Sequence, residues 1–354
     1  MASWRLAIGM VALASGVPAA TPYPVVRPGL TMRFPSDHGA HPAFRTEWWY
    51  ATGWLHTAEG EKLGFQVTFF RTTPRIDERN PSRFAARQVL FAHVALSDAT
   101  TGRLLHGERA ARGGFGLAQA RTGDADVAIR DWRIQRSLNG QWTTSIAAHG
   151  FALKLAFIPT QPPLLEGVGG YSRKGPRPEE ASYYYSIPHL QVSGQVQRGD
   201  RTVPVTGEAW LDREWSSNYL APRAQGWDWT GLNFDDGSAL MAFRIRTRAG
   251  GALWAGGSFR RADGRTTMLD PGDVAFTPLA TWRSSATGAV YPVMQELSIR
   301  IDGRIVRHRL QPLFAAQELD ARGSGLPVYW EGAVSTAGGR GYLELTGYDR
   351  ALEM

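Results

Sequence analysis

The sequence predicts an all-β protein made of two antiparallel β-barrels in tandem, and three observations predict it. Short apolar runs with period-two alternation recur between glycine, asparagine and aspartate turns, and helical periodicity does not hold for three turns across the first half. At 354 residues the chain exceeds what one hydrophobic core usually serves. An aromatic pattern also recurs about half a chain apart. Trp48-Trp-Tyr-Ala-Thr-Gly-Trp-Leu55, a turn at Gly60 and a strand ending Phe69-Phe-Arg71 are echoed by Trp227-Asp-Trp-Thr-Gly-Leu232, a turn at Gly237 and Ala239-Leu-Met-Ala-Phe-Arg244. An up-and-down series of such strands suits closed barrels, which leave no free sheet edge.

The elements follow in order. Residues 1–19 read as a secretory signal: Arg5 gives the positive start, Leu6 to Ala14 is an apolar run too short to span a bilayer, and Val17-Pro-Ala19 offers a small-residue cleavage site. Residues 20–46 are irregular and proline-rich. Glu47 to Leu55 and Lys62 to Arg71 form a hairpin, and Gln88 to Ser97 is a further strand. Short strands then follow turns at Gly102, Gly107, Gly113-Gly114, Asp131 and Asn139-Gly140, closing with Trp142 to Ala148 and Phe151 to Ile158. Residues 159–181, rich in proline and glycine, are a lid or a domain connection. Strands resume at Ser182 to Pro188, Leu190 to Val196 and Thr202 to Arg213. The second half repeats the style through Trp227 to Leu232, Ala239 to Arg244, Leu253 to Phe259, Pro292 to Ile301 and a last hairpin at Pro327 to Val334 and Gly341 to Gly347.

The formal charge is +7, almost all from dispersed arginines, and no basic run is interleaved with aromatics, so no nucleic-acid partner is expected. Cysteine is absent, which removes disulfides, thiol nucleophiles and cysteine-bound zinc. His38 and His41, with Asp37, lie in the loop Phe34 to Pro42, but the histidines are not spaced i, i+4 and no third ligand accompanies them, so no metal is expected. No Gly-x-Ser-x-Gly elbow is present, and Ser172, Ser216 and Ser217 have no evident His and acid partners. His93 and His149 read as packed strand residues.

The stretch Gly207-Glu-Ala-Trp-Leu-Asp-Arg-Glu-Trp215 carries the chemistry. Alternation puts Trp210, Asp212 and Glu214 on one face of a strand, and Trp227 and Trp229 share a face of another. A carboxylic acid walled by Trp210, Trp215, Trp227 and Trp229 is an arrangement that raises a pKa and keeps a proton available near neutrality. The alternative is an Asp212 paired with Arg213 or Arg223 beside an ordinary tryptophan core.

Three segments, Asp37-His-Gly with Glu47-Trp-Trp-Tyr, Phe91-Ala-His-Val-Ala-Leu, and Gly207-Glu-Ala-Trp-Leu-Asp, resemble the bacterial secreted proteins of tandem lipocalin-like fold. That group is often labelled predicted secreted hydrolases and is related to carotenoid 1,2-hydratase; fungal lipocalin-like Diels–Alderases are more distant. The resemblance covers about residues 30–350 and implies lipocalin-like barrels over 30–205 and 206–354, joined through 160–205. It further implies cofactor-free water addition to an isolated alkene, with an Asp, matching Asp212, as the proton donor. The hydratase tyrosine two residues earlier falls on Trp210, and its His and Trp pair on the preceding strand falls on Tyr183 and Tyr185, so three of four positions differ.

The expectation is a periplasmic or secreted protein that encloses an apolar, isoprenoid- or lipid-like molecule. Tyr183, Tyr185, Trp210, Trp227 and Trp229 would contact it, Asp212 would act as general acid, and no cofactor or metal would be needed. The alternative is a non-catalytic lipid carrier or an accessory protein of a membrane transporter; a secreted hydrolase is a third reading.

Overall fold

In the computed structural model, which describes residues 23–74, 80–218 and 220–352, the chain folds into two antiparallel sheets. The signal segment expected over 1–19 lies outside the described residues. The first sheet holds β1 (Thr46–Thr57), β2 (Lys62–Thr72), β3 (Val89–Asp98), β4 (Arg103–Arg112), β5 (Ala118–Ala120), β6 (Asp126–Ile129), β7 (Trp132–Arg136), β8 (Trp142–Ala148), β9 (Phe151–Pro159), β10 (Leu164–Leu165), β11 (Tyr171–Arg173), β12 (Ala181–Arg198) and β13 (Arg201–Ser216). The second holds β14 (Ala224–Phe234), β15 (Ala239–Thr247), β16 (Ala252–Arg260), β17 (Thr266–Leu269), β18 (Val274–Arg283), β19 (Val290–Ile301), β20 (Arg304–Pro312), β21 (Glu318–Asp320), β22 (Val328–Thr336) and β23 (Gly339–Leu345).

The all-β architecture expected from the sequence is present. The first sheet runs β4-β3-β2-β1-β13-β12-β9-β8-β7-β6-β5, with β10 and β11 laid on β12; the second runs β17-β16-β15-β14-β23-β22-β20-β19-β18, with β21 on β22. In each unit the first strand therefore pairs with the second and with the last: β1 with β2 and β13, β14 with β15 and β23. The aromatic echo between Trp48 and Trp227 marks these equivalent strands.

Two expectations about boundaries need correction. A division at 205/206 cuts β13, which pairs with β1 from Thr57↔Val205 to Thr46↔Ser216 and with β12 over most of the same length. The first unit thus extends through Ser216, and Asp212 belongs to it. Residues 160–205 are not a connection, because β12 is a full member of the first sheet and β10 and β11 fold back onto it. The chain crosses between the units after Ser216 and before Ala224.

Side-chain parity sorts the interior. Odd positions of β1 and β13, including Trp49, Ala51, Leu211 and Trp215, fill the first barrel; Leu232, Leu240, Tyr291 and Trp330 belong to the core of the second. Even positions, including Tyr50, Trp54, Tyr184 and Trp210, form a third apolar cluster with Trp229, Met241, Phe243 and Tyr342 from the other unit. The barrels meet through this cluster. Gly64 makes the approach feasible, since a Cβ there would lie 2.6 Å from the Tyr342 hydroxyl and 2.7 Å from Ala333 Cβ. Asn233 fixes the arrangement: its Nδ2 donates to Ala209 O at 3.1 Å and its Oδ1 accepts from His189 N at 3.1 Å.

One end of the first barrel holds a buried ion network. Glu47 accepts from Arg71 and, at 2.5 Å, from Arg213, and all three side chains have 0% exposure. Burial pushes the Glu47 carboxyl up, but Arg213, His41 and Arg71 together hold it well below the usual range. Arg213 also stacks over Trp49 at 3.7 Å, and His41 stacks on Trp215 at 3.8 Å. The loop with His38 and His41 is thereby tied to this network.

Candidate active site between the barrels

The outward faces of β1, β2, β3, β12 and β13 and the facing side of β14, β15, β22 and β23 enclose a cavity of about 1030 Å³. It lies between the barrels, not inside either one. Asp212 lines it while being 3% exposed. Asp212 Oδ1 accepts from Ser186 Oγ and Trp210 Nε1, each at 2.6 Å, and Oδ2 accepts from Tyr184 OH at 2.6 Å. Trp229 Nε1 donates to the same tyrosine oxygen at 3.0 Å, so the indole orients the hydroxyl that holds the acid. Gly231 allows the two indoles to converge, because a Cβ there would lie 2.8–2.9 Å from both rings.

Burial raises the Asp212 pKa to about 7; the three hydrogen bonds oppose this and Glu214 adds to it. Glu166, brought in by the segment over 159–181, lies 2.8 Å from Ser186 Oγ. Its own pKa is pushed to about 8, chiefly by burial. A serine has one proton to give. With Glu166 protonated, Ser186 accepts from it and donates to Asp212. The same segment supplies Lys174, whose Nζ pairs with Glu214 at 3.2 Å. It is therefore a wall of the site, packed on β12.

From the second barrel come Glu344 and Glu331, which face each other across β22 and β23. Glu344 accepts from Trp227 Nε1 at 2.9 Å, and burial, opposed by that bond and aided by Asp212 and Glu214, sets its pKa at about 7. Glu331 is raised well above the usual carboxyl range by burial and then by Glu344.

Asp212, Trp227 and Trp229 line the cavity and Trp210 bonds Asp212, but Trp215, expected as a fourth wall, points into the first barrel and stacks on His41. Tyr183 and Tyr185 are elsewhere. Ser186 pairs with Asp212 in the register of β12 and β13, so the even positions of β12 share its face and the odd ones point into the first barrel. There Tyr183 OH donates to Arg27 O at 3.0 Å and Tyr185 OH lies 2.6 Å from His38 Nδ1. Tyr184 is the tyrosine at the acid. The pairing of Asp212 with Arg213 is not found either, because Arg213 faces inward to Glu47.

The sequence matches the AttH-like family over residues 25–348. The chain belongs to the AttH-like family. Among solved structures, an AttH-type protein from Nitrosomonas europaea is similar to this chain at 51% identity and a TM-score of 0.84, covering 92% of this chain and 99% of that one. Kievitone hydratase from Nectria haematococca is similar in fold at 14% identity and a TM-score of 0.64, covering 92% and 95%. CghA with Sch210972 is similar at 13% identity and a TM-score of 0.54, covering 86% and 89%. No curated protein matches the chain. These likenesses fit a tandem lipocalin-like fold for the AttH-like protein.

Sequence reasoning missed Tyr184, Ser186, Glu331 and Glu344 in this AttH-like protein. The available signal was a lone glutamate in an otherwise apolar strand, in Tyr329-Trp-Glu-Gly-Ala and in Tyr342-Leu-Glu-Leu. The face assignment has a direct consequence. Tyr184→Phe removes a donor to the carboxylate and is expected to move the Asp212 titration upward, whereas Tyr185→Phe leaves it in place. Carboxyl-resolved titration of the two variants checks this.

Proposed function

We propose that this chain holds an apolar, isoprenoid- or lipid-like molecule between its barrels and acts on it as a cofactor-independent hydratase or lyase. The observation that carries the reading is Asp212: a buried acid with a pKa of about 7, gripped by three donors and facing an aromatic-lined cavity. In the hydration direction the Asp212 proton goes to one alkene carbon, the π pair forms the new C–H bond, and the other carbon becomes cationic. The faces of Trp227, Trp229 and Tyr50 shield that cation. Water adds to it and returns a proton to the Asp212 carboxylate, so the net change is alkene plus water to alcohol. Elimination runs the same steps backwards. A cavity of about 1030 Å³ is at the upper end for small-molecule sites and suits an extended ligand. Action outside the cytoplasm belongs to this reading and is supported by the leader-like residues 1–19.

The test uses whatever molecule the purified protein retains. Protein is incubated in D₂O, extracted with organic solvent, and the masses in the extract are measured by mass spectrometry. A bound apolar molecule that gains deuterium at carbon with the parent protein, and not with Asp212→Asn, is the expected result. A molecule that is present and gains none overturns the catalytic reading and leaves a carrier. An empty extract overturns the apolar-ligand reading.

A further inference from the structure

The first barrel's acid accounts for only part of the cavity's chemistry. Glu331 is 4% exposed and lines the cavity; the Tyr50 and Tyr329 hydroxyls lie beside it without closing a well-formed hydrogen bond, and among the described residues no cation pairs with it. His93, which also lines the cavity, has its Nε2 buried without a hydrogen-bond partner. A buried carboxyl with no ion partner and no well-formed hydrogen bond is costly, and such a group is a candidate ligand contact. Glu344, Tyr50, Tyr329 and Tyr342 are the titratable groups facing Glu331. None is a cation, and the Tyr329 hydroxyl is already engaged with His93 Nδ1 at 2.9 Å.

The cavity shows what such a carboxyl accepts. Glu214, a glutamate on the first barrel's wall, pairs with the Lys174 ammonium, and that ammonium sits 4.5 Å from the Tyr184 ring and 4.3 Å from the Phe243 ring. Carboxylate plus aromatic faces is the setting in which an ammonium is stable away from water. Glu331 reproduces half of it. Trp229, Glu344 and Glu331 lie in one cross-strand row, and Tyr50 meets Trp229 edge-on at 5.3 Å. Among the described residues, the arginines in the lining are Arg45, Arg177 and Arg350, none of them buried.

We infer that the Glu331 end of the cavity binds an organic ammonium group, so the molecule held between the barrels is an amine carried on an apolar body. This rests on the reading that the cavity takes an apolar ligand. On binding, the ammonium approaches the Glu331 oxygens, the carboxyl releases its proton to solvent, and the rings of Tyr50 and Trp229 cover the cation. A ligand ending in a carboxylate finds no cation at the Glu331 end, so its charge would be buried there without an ion partner.

Three probes of one chain length separate the outcomes: dodecylamine, dodecanol and dodecanoate, followed by tryptophan fluorescence and by calorimetry in two buffers of different ionisation enthalpy. Dodecylamine is expected to bind at least about tenfold more tightly than dodecanol, with release of about one proton. Glu331→Gln is expected to abolish that preference, and Glu331→Asp, which keeps the charge, to retain part of it. Equal binding of amine and alcohol, or a preference that survives Glu331→Gln, overturns the inference while the apolar-ligand reading stands. Failure of all three probes to bind overturns both.

Discussion

Asp212→Asn is expected to lower turnover about 10²–10⁴-fold, the usual contribution of a positioned general acid. Asparagine keeps the shape and an oxygen for Ser186 and Trp210, and its amide NH2 can donate to the Tyr184 oxygen in place of the bond Tyr184 gave, so ligand binding should change little. Equal loss of binding and turnover would instead indicate damage to the interface. The pH profile follows from the same group. The reactive form is protonated, so activity is present below a pH of about 7 and is lost as pH rises through it. Stability has the same sign. The folded-state pKa of Asp212 lies above its unfolded value, so its contribution is complete below about 4 and is lost as pH rises through about 7. The Asp212→Asn protein should lack this part of the slope in a thermal melt series.

Glu47→Gln is expected to destabilise the protein by about 3–5 kcal/mol, as removal of one partner from a buried ion network generally does. Arg71 and Arg213 would both remain with 0% exposure and no carboxylate. Glu47 behaves oppositely to Asp212 with pH. Its folded pKa is depressed, so its contribution is present above the unfolded carboxyl range and is lost as pH falls. Chemical denaturation of the variant at neutral pH checks the magnitude. A change under about 1 kcal/mol would show that the arginines find other partners, such as the carbonyls of Phe44 and Trp48 that they already touch.

How much of the fold and site was legible in the sequence depended on distance along the chain. The strands and the tandem echo are local patterns, and the echo identified the two strands that open each barrel. Asp212 and its tryptophans also lie within a short stretch, so alternation alone grouped them. Tyr184 needed the register of β12 against β13; the resemblance placed the expected contact on Tyr183 and Tyr185, which face the opposite core. Glu331 and Glu344 join Asp212 only because the second barrel docks on the first, and no local pattern reports docking. The boundary at 205/206 cut through a strand legible in the sequence as Thr202 to Arg213; which barrel that strand joins is set by its long-range pairing with β1 and β12.

The central claim is that Asp212 carries a proton at neutral pH inside the cavity between the barrels. The most direct measurement is carbon-13 NMR of protein labelled at the aspartate side-chain carboxyls, with the Asp212 signal identified by its loss in Asp212→Asn. A titration midpoint of about 7 is the result expected here. A midpoint of about 4, the value of an ordinary aspartate, would contradict it, since Asp212 would then be a carboxylate at neutral pH with no proton to give an alkene.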